Sequence, residues 1–317
     1  MKIIIPGGSG QVGRALASAF HQDGHEVVVL ARSPAKSNWK SVKWNGKSLG
    51  PWKDEIDGSD VVINLAGRSV NCRYNEANRR LIMDSRIDST RIIGESISQA
   101  STPPKVWLQS STATIYAHSF DHPNDDVTGT LGGSEPDAPD TWRFSIDVAK
   151  SWERVANQAD TPNTRKILMR SAMIMGPARG GIFDTMLGIV RFGLGGTAGS
   201  GRQYISWIHE VDFIRAVYWL IEHDEFSGPV NIASPNPLPN REFMQIFREA
   251  WGTRFGLPAF EWQLALGAFL MRTETELILK SRRVVPKLMT DSGFTFEFPE
   301  WKYACRDLCS RWRKENQ

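Results

Sequence analysis

The stretch that decides the fold is Met1-Lys-Ile-Ile-Ile-Pro-Gly-Gly-Ser-Gly-Gln-Val-Gly-Arg14, at the start of a chain of 317 residues. Residues 3–5 predict a short buried strand, glycines follow at positions 7, 8, 10 and 13, and residues 14–20 have helical apolar spacing. A strand that turns on glycines into a helix is typical of a dinucleotide site, because backbone can then approach a pyrophosphate beside unpaired helix N–H groups. A second strand, predicted over 25–30, favours this site over a glycine-rich turn without a ligand.

The turn is therefore predicted to bind the cofactor through Gly7, Ser9, Gly10, Gln11, Val12 and Gly13. An acid that grips the ribose 2′-hydroxyl of NAD usually follows the second strand. This chain has no acid between Val27 and Trp52, and it carries Arg32 there. A guanidinium has a fixed charge and a planar fork of donors that suit a 2′-phosphate. Arg32 therefore predicts NADP(H), against the alternative of a solvated arginine at a strand end.

Strands and helices alternate along the first half of the chain. Further strands are predicted over 59–67 and 105–116, and long helices over 74–100 and 142–159. This alternation indicates an α/β fold with a doubly wound parallel sheet, in which ligands bind beyond the carboxyl ends of the strands. Small residues, Ala66 and Gly67, end one strand, where a ribose or nicotinamide would lie against backbone. Hydroxyls crowd the end of another, and Ser110 and Ser111 are predicted to contact the cofactor.

Composition excludes several classes of protein. Hydrophobic residues are 41% and charged residues 23% of the chain, as in ordinary globular proteins, and a net charge of +3 does not favour nucleic acid. The longest apolar stretch, residues 262–271, is too short to span a bilayer, and the sequence enters its first strand without a signal segment. Three cysteines favour a reduced, cytoplasmic protein over a redox pair at Cys305 and Cys309.

Histidines occur in two places where chemistry is conceivable. The predicted loop over 117–141 holds His118 and His122 among aspartates, but such groups on a polar loop are usually solvated, so no metal site is predicted. His209 opens a predicted helix over 213–222. A structural histidine near a helix start is favoured there over a catalytic one.

The chain resembles a known family over nearly its whole length. Besides the glycine turn, the resemblance is carried in order by Asn64–Gly67, Ser85–Arg86, Gln109–Thr112, Arg170, Gly195–Gly196, Ser206–His209, Asp212, Asn231, Ala233–Pro237 and Pro286–Lys287. These motifs resemble the atypical, extended short-chain dehydrogenase/reductases of the YfcH-like branch, usually described as sugar-nucleotide epimerase-family or oxidoreductase proteins.

The resemblance implies two domains. A Rossmann domain that binds NADP would comprise residues 1–172 and about 204–234. A smaller, mostly helical substrate domain would comprise about 173–203 and 235–317. It also implies that Arg32, Leu65, Ala66 and Arg86 line the cofactor, and fold analogy with relatives that pair through the helices 74–100 and 142–159 suggests a homodimer.

The resemblance also implies catalytic residues, but this chain departs from the superfamily pattern at one of them. Thr112 matches the hydroxyl residue that hydrogen-bonds the substrate oxygen where charge develops. The superfamily also needs Tyr-x-x-x-Lys one helix later, where Tyr is the acid/base. If Lys150 is that lysine, Ile146 holds the tyrosine position. If Glu153 sets the register, the pair becomes Ser145 and Ala149. Neither register contains a tyrosine, and Tyr116 matches a structural tyrosine.

The hypothesis is an NADP-dependent oxidoreductase or epimerase-like enzyme that passes a hydride between the nicotinamide and a carbonyl or carbinol carbon held near Thr112. Lys150, a water or a group from the C-terminal domain would supply the proton. Two alternatives stay open. One is a non-catalytic NADPH sensor, which the missing tyrosine favours. The other is a reductase of a quinone- or flavin-like acceptor that needs no enzymic acid.

Overall fold

A computed structural model describes residues 1–136, 138–260, 262–263, 274 and 276–316. The strands are β1 (Lys2–Pro6), β2 (Glu26–Ala31), β3 (Lys40–Lys43), β4 (Val61–Asn64), β5 (Val106–Thr112), β6 (Arg165–Ser171), β7 (Met173–Met175), β8 (Tyr204–Ile205), β9 (Trp207–His209), β10 (Gly228–Ile232) and β11 (Leu238–Pro239). The helices are α1 (Gln11–Gln22), α2 (Glu76–Ser98), α3 (Asp140–Gln158), α4 (Ile182–Arg191), α5 (Glu210–Glu222), α6 (Asn240–Trp251), α7 (Glu276–Leu279), α8 (Lys287–Asp291) and α9 (Trp301–Asn316).

Seven of the strands form one parallel sheet in the order β10-β6-β5-β4-β1-β2-β3. The chain leaves β1 toward β2 on one side and later returns to β4 on the other, so the strand order reverses beside β1. Such a reversal opens a crevice at the carboxyl ends of the strands. The predicted doubly wound parallel sheet is therefore confirmed.

The strands are almost wholly apolar because helices cover both faces of the sheet. On one face, Ile3 and Ile5 pack with Phe20 of α1 and Phe213 of α5 in a single buried cluster. On the other face, Trp107 packs with residues of α2 and α3. Strand side chains alternate between the faces, so neighbouring residues of β5 point toward different helices.

The C-terminal half builds a second hydrophobic cluster. Phe243 of α6 stacks on Trp301 of α9 with ring centroids 4.0 Å apart, and Trp207 of β9 joins them. Cys305 and Cys309 are unpaired and buried in the same cluster, where they fill core space. Phe247 and Trp312 are buried in the same cluster, whereas Phe255 and Phe260 are exposed. The division into two domains at the predicted boundaries stays a prediction.

Several boundaries differ from the sequence prediction. The strand expected over 204–208 is divided into β8, which pairs with β11, and β9, which pairs with β7. The break occurs at Ser206, whose hydroxyl donates to the carbonyl of Arg282 at 2.6 Å and accepts the N–H of Val284 at 2.8 Å. The short edge strand β3 was not predicted. Of the apolar stretch 262–271, residues 264–271 lie outside the described residues, and no helix within the described ranges is long and apolar enough to cross a membrane.

Candidate functional site

Two glycines of the turn are required by packing. Gly7 has a positive φ of 77°, and a Cβ there would lie 2.7 Å from the backbone of Ala66. A Cβ on Gly13 would lie 2.4 Å from the Cα of Gly8. These residues let the loop after β1 fit between α1 and the end of β4. The packing of the fold is enough to explain these two glycines, without any ligand.

Gly10 is different, because nothing in the protein requires it. It is exposed and precedes α1 with an extended backbone, and a Cβ there would meet only the carbonyl of Gly7 at 3.8 Å. No side chain of this position caps the start of α1, so the first N–H groups of the helix receive no side-chain acceptor from it. That arrangement fits a pyrophosphate, which binds at a helix N-terminus through backbone N–H groups. Ser9 is exposed beside it, and Gln11 and Val12 are half-buried in the first turn of α1.

Arg32 follows the carboxyl end of β2, the strand that pairs with β1. Ala31 is buried and Arg32 is exposed. Within the described part of the chain, no carboxylate forms an ion pair with this guanidinium. Its donors are therefore available on the edge of the sheet where the glycine turn lies.

The segment after β4 supplies the next part of the site. Asn64 is buried and fixes this segment, because its side chain donates to Gln109 at 2.9 Å and accepts the N–H of Ala66 at 3.1 Å. The N–H of Leu65 donates to the carbonyl of Pro6 at 2.9 Å, which ties the segment to the glycine turn. Backbone at residues 65–67 therefore forms one wall of the crevice.

Arg86 of α2 lies beneath this wall. A Cβ on Gly67 would lie 3.3 Å from its guanidinium carbon. The guanidinium donates to the carbonyls of Arg68 and Ile82 at 3.1 and 3.0 Å and lies over the ring of Trp152 at 4.9 Å. Burial lowers the pKa of Arg86 to about 10, so the group stays charged at neutral pH. The structure thus brings Arg86 together with the predicted cofactor-lining residues 65–67.

The three hydroxyl residues at the end of β5 have different surroundings. The hydroxyl of Ser111 is buried and donates to Glu153 at 2.6 Å, so it belongs to an internal network rather than to the crevice. Ser110 and Thr112 alternate with it and are partly exposed. The hydroxyl oxygen of Thr112 accepts the N–H of Thr114 at 3.2 Å, which leaves its own proton free to be donated to a ligand.

That internal network also contains Tyr116. Glu153 forms a bidentate ion pair with Arg170, both contacts at 2.8 Å, and Arg170 donates to the Tyr116 hydroxyl at 3.0 Å. The Tyr116 hydroxyl in turn donates to Asn231 at 2.9 Å. Every polar group here has a partner, which agrees with the interpretation of Tyr116 as a structural tyrosine.

The contacts of α3 favour the register set by Glu153. Ser145 donates to Glu276 at 2.5 Å, Ala149 is buried against Ala113 and Tyr116, and Glu153 contacts Ser111. These three residues are four apart and lie along one face of the helix. Lys150 points elsewhere, because its ammonium group donates to the carbonyl of Gly132 at 2.5 Å in the loop before α3. No contact of the described residues joins Lys150 to Thr112.

The sequence analysis missed a polar cluster formed by Tyr74, Ser145, Glu276, Lys280 and Arg282. Arg282 contacts Glu276 at 3.4 Å and donates to the Thr114 hydroxyl at 3.2 Å, and Lys280 donates to the Thr114 carbonyl at 2.8 Å. Burial raises the pKa of Glu276, and burial, with Arg282 nearby, lowers the pKa of Lys280 to about 8. In the sequence, Glu276 and Lys280 look like a solvated pair on a helix. Only the surrounding apolar residues hint that they are buried.

His209 has the structural role that was predicted. It is fully buried, and its Nδ1 accepts the N–H of Val211 at 3.1 Å, so it caps the start of α5. Its Nε2 lies 3.1 Å from Asp307. Burial lowers the pKa of His209 to about 4, so the ring is neutral at physiological pH.

The loop after β5 shows how its histidine is used. The Nδ1 of His118 accepts the N–H of Ser281 at 2.9 Å, and the ring stacks on Trp142. Across the described ranges, no three His, Cys, Asp or Glu side chains cluster as metal ligands would.

The chain is similar to a known protein family and to individual known proteins. Residues 3–233 match the model of the NAD dependent epimerase/dehydratase family, and residues 258–308 match a domain of unknown function, DUF1731. The epimerase family protein YfhF of Bacillus subtilis (strain 168) is 30% identical over 313 residues, which cover 97% of this chain and 98% of the relative. The epimerase family protein SH2119 of Staphylococcus haemolyticus (strain JCSC1435) is 31% identical over 314 residues, covering 97% and 98%.

A solved structure is also similar. The crystal structure of the human epimerase family protein SDR39U1 (isoform 2) with NADPH superimposes with a TM-score of 0.83 and 27% sequence identity. The match covers 98% of this chain and 99% of the human one.

Proposed function

The chain belongs to the NAD dependent epimerase/dehydratase family, and on that premise we propose that it binds NADPH and reduces a small carbonyl substrate. The observation that carries the cofactor half is the open space over Gly10, where the fold tolerates a side chain and yet the chain carries none. The similarity to human SDR39U1, whose structure holds NADPH, supports the choice of the phosphorylated cofactor.

Each part of the crevice has a distinct share in binding. The N–H groups at the start of α1 would bind the pyrophosphate, and the helix dipole would favour its negative charge. The exposed guanidinium of Arg32 would bind the 2′-phosphate. Residues 65–67, held in place by Asn64 and Arg86, would position the cofactor by backbone contact.

The chemistry would occur at the end of β5. NADPH, when bound, supplies the hydride. Thr112 keeps a free hydroxyl proton, which it would donate to the substrate oxygen as negative charge develops there. Lys150 has no catalytic role in this proposal, because its ammonium group donates a hydrogen bond to the carbonyl of Gly132, in the loop before α3.

One observation favours a second candidate function. Ser145 stands where the Glu153 register expects a tyrosine, so the helix that normally supplies the acid has no phenol. A sensor that binds NADPH without turnover would need none. A reductase of a quinone- or flavin-like acceptor would equally need no enzymic acid.

A cytoplasmic location and a homodimer through α2 and α3 complete the proposal. Light scattering tests whether the protein is a dimer.

The test is a screen for NADPH oxidation with aldehydes, ketones, quinones and sugar nucleotides, repeated with Thr112→Ala. We expect turnover with a carbonyl compound and a loss of about 10²–10³ in turnover in Thr112→Ala, because one donor to the developing charge is removed. NADPH affinity should stay nearly unchanged. Thr102→Ala, at an exposed position before β5 on the opposite edge of the sheet, is the matched control.

Two outcomes would redirect the proposal. If no compound oxidises NADPH and Thr112→Ala changes nothing, the sensor takes its place and the cofactor half is kept. Turnover with quinones alone, unaffected by Thr112→Ala, would favour the third function.

A further inference from the structure

Lys280, directly after α7, is a buried cation that has no role in the proposed reaction. It is 2% exposed, and its ammonium group donates to the carbonyl of Thr114 at 2.8 Å. Across the described ranges, this carbonyl is its single acceptor, and no carboxylate forms an ion pair with it. An ammonium group has three donors, so two of them are unmatched by the described residues. Lysine is rarely buried without a counter-charge, because removing the charge from water is costly.

The charges around Lys280 do not cancel its own. Glu276 forms an ion pair with Arg282 at 3.4 Å, so these two opposite charges offset each other. The carboxylate of Glu135 accepts two backbone N–H groups instead. Burial, with Arg282 nearby, lowers the pKa of Lys280 to about 8, so the ammonium form still predominates at pH 7. One positive charge therefore remains in this part of the polar cluster.

The backbone that carries Lys280 is fixed against the loop after β5. The N–H of Ser281 donates to the Nδ1 of His118 at 2.9 Å, and the Ser281 hydroxyl accepts the N–H of Tyr204 at 2.9 Å. The ammonium group is therefore held in place before any ligand binds. Holding the Thr114 carbonyl would need only a neutral donor, so that contact does not explain a buried charge.

Lys280 and Thr112 contact the same residue, Thr114. The carbonyl of Thr114 accepts from Lys280, and its N–H donates to the Thr112 hydroxyl oxygen at 3.2 Å. The backbone nitrogen and oxygen of one residue are at most about 4 Å apart, so the ammonium nitrogen and the Thr112 hydroxyl oxygen lie within roughly 10 Å of each other. Thr112 and Thr114 are both partly exposed. A small molecule held at Thr112 therefore has its far end within reach of the ammonium group.

We propose that the substrate is an oxo acid, whose carboxylate binds the Lys280 ammonium group while its carbonyl oxygen accepts from Thr112. The inference rests on the proposed reductase function and names its substrate class. A carboxylate carries the one negative charge that the site lacks, and its oxygens offer acceptors to the two unmatched donors. A phosphate group would bring close to two negative charges to a site that lacks one.

The experiment compares 4-formylbenzoate with 4-formylbenzamide, and pyruvate with pyruvamide, because the members of each pair differ in charge but hardly in shape. With wild type and NADPH, kcat/KM should be roughly tenfold or more higher for the acid of at least one pair. Lys280→Met keeps the length of the side chain and removes its charge. It should lower this acid-to-amide ratio about 10- to 100-fold, mainly through KM for the acid, because a charge-assisted contact is lost.

The ratio separates an anion site from a structural role. A variant that is merely damaged would lose activity with acid and amide together, which leaves the ratio as it was. Lys302→Met, at an exposed position on α9, is the matched control and should also leave the ratio unchanged.

A second readout does not depend on turnover. Calorimetry measures how the corresponding alcohols, 4-(hydroxymethyl)benzoate and 4-(hydroxymethyl)benzamide, bind to the protein loaded with NADP⁺. The acid should bind more tightly than the amide in wild type and in Lys302→Met, and this difference should disappear in Lys280→Met. Inorganic phosphate that competes with the acid more strongly than acetate does would overturn the carboxylate in favour of a phosphorylated substrate.

The outcomes distinguish the inference from the proposed function. Carbonyl reduction with an acid-to-amide ratio that Lys280→Met leaves unchanged overturns the inference and leaves the proposed function standing. If no carbonyl compound is reduced, but the acid alcohol binds through Lys280, the reductase fails and the anion site stands. Equal binding of the acid and amide alcohols by wild type contradicts the anion site in either case.

Discussion

The glycine turn at the end of β1 and the polar cluster beside the end of β5 line the same edge of the sheet, but they are built differently. The turn consists of backbone from one short segment, and its shape depends on the absence of side chains at positions 7 and 13. The cluster consists of charged and hydroxyl side chains, and its hydrogen bond between Ser145 and Glu276 joins residues 131 positions apart. The turn should therefore depend on local backbone, and the polar cluster on long-range packing.

The largest effect should come from breaking the packing of the turn. Gly13→Ala places a Cβ 2.4 Å from the Cα of Gly8, a distance that real contacts do not show, so α1 must shift away from the turn. We expect a loss of about 2–3 kcal/mol in the free energy of unfolding, typical of overpacking. Chemical denaturation measures it. Gly10→Ala is the matched control and should be nearly neutral, and equal stability of the two variants would contradict this account of the turn.

A smaller effect should come from the charge at the end of β2. Arg32→Ala removes a charge-assisted contact worth about 1.5–3 kcal/mol, so the preference for NADPH over NADH should fall roughly tenfold or more. Calorimetry with both cofactors measures this ratio. Arg80→Ala, at an exposed position on α2, should leave it unchanged. If wild type binds both cofactors equally, Arg32 does not discriminate between them.

The smallest effect concerns buried charge in the polar cluster. The pKa of Lys280 in the folded protein, about 8, lies below its ordinary value of 10.5. Between those values the unfolded chain binds more protons than the folded one, so the Lys280 contribution to the free energy of unfolding rises with pH. Below pH 8 the full cost of burying the ammonium remains.

Lys280→Met lacks this charge. Between pH 7.5 and 10, the free energy of unfolding of the wild type should therefore rise relative to that of the variant by on the order of 2 kcal/mol. Urea denaturation at the two pH values measures the difference, with Lys302→Met, exposed on α9, as the control for losing a lysine. A constant difference between wild type and Lys280→Met would show that the ammonium is not buried as described.

The same contrast explains what the sequence could predict. The sheet and the glycine turn were predictable because apolar runs, glycine spacing and Arg32 are local signals. The surroundings of Ser111 and Lys150 were harder to predict, because a shift of one residue along a strand or helix turns a side chain to another face. The polar cluster could not be predicted from the sequence. Glu276 and Arg282 meet Ser145 and Thr114 only after the chain has folded, and no periodicity encodes that meeting.

The most direct test of the central claim is NADPH binding by Gly10→Val. A Cβ at Gly10 would meet no protein atom closer than 3.8 Å, and the position is exposed, so the variant should fold with wild-type thermal stability. The same side chain would occupy the space of the pyrophosphate and block approach to the N–H groups of α1. The account predicts that NADPH stabilises the wild type against heat and leaves Gly10→Val unaffected. Full stabilisation of Gly10→Val by NADPH would contradict it, because the glycine turn would then not be the cofactor site.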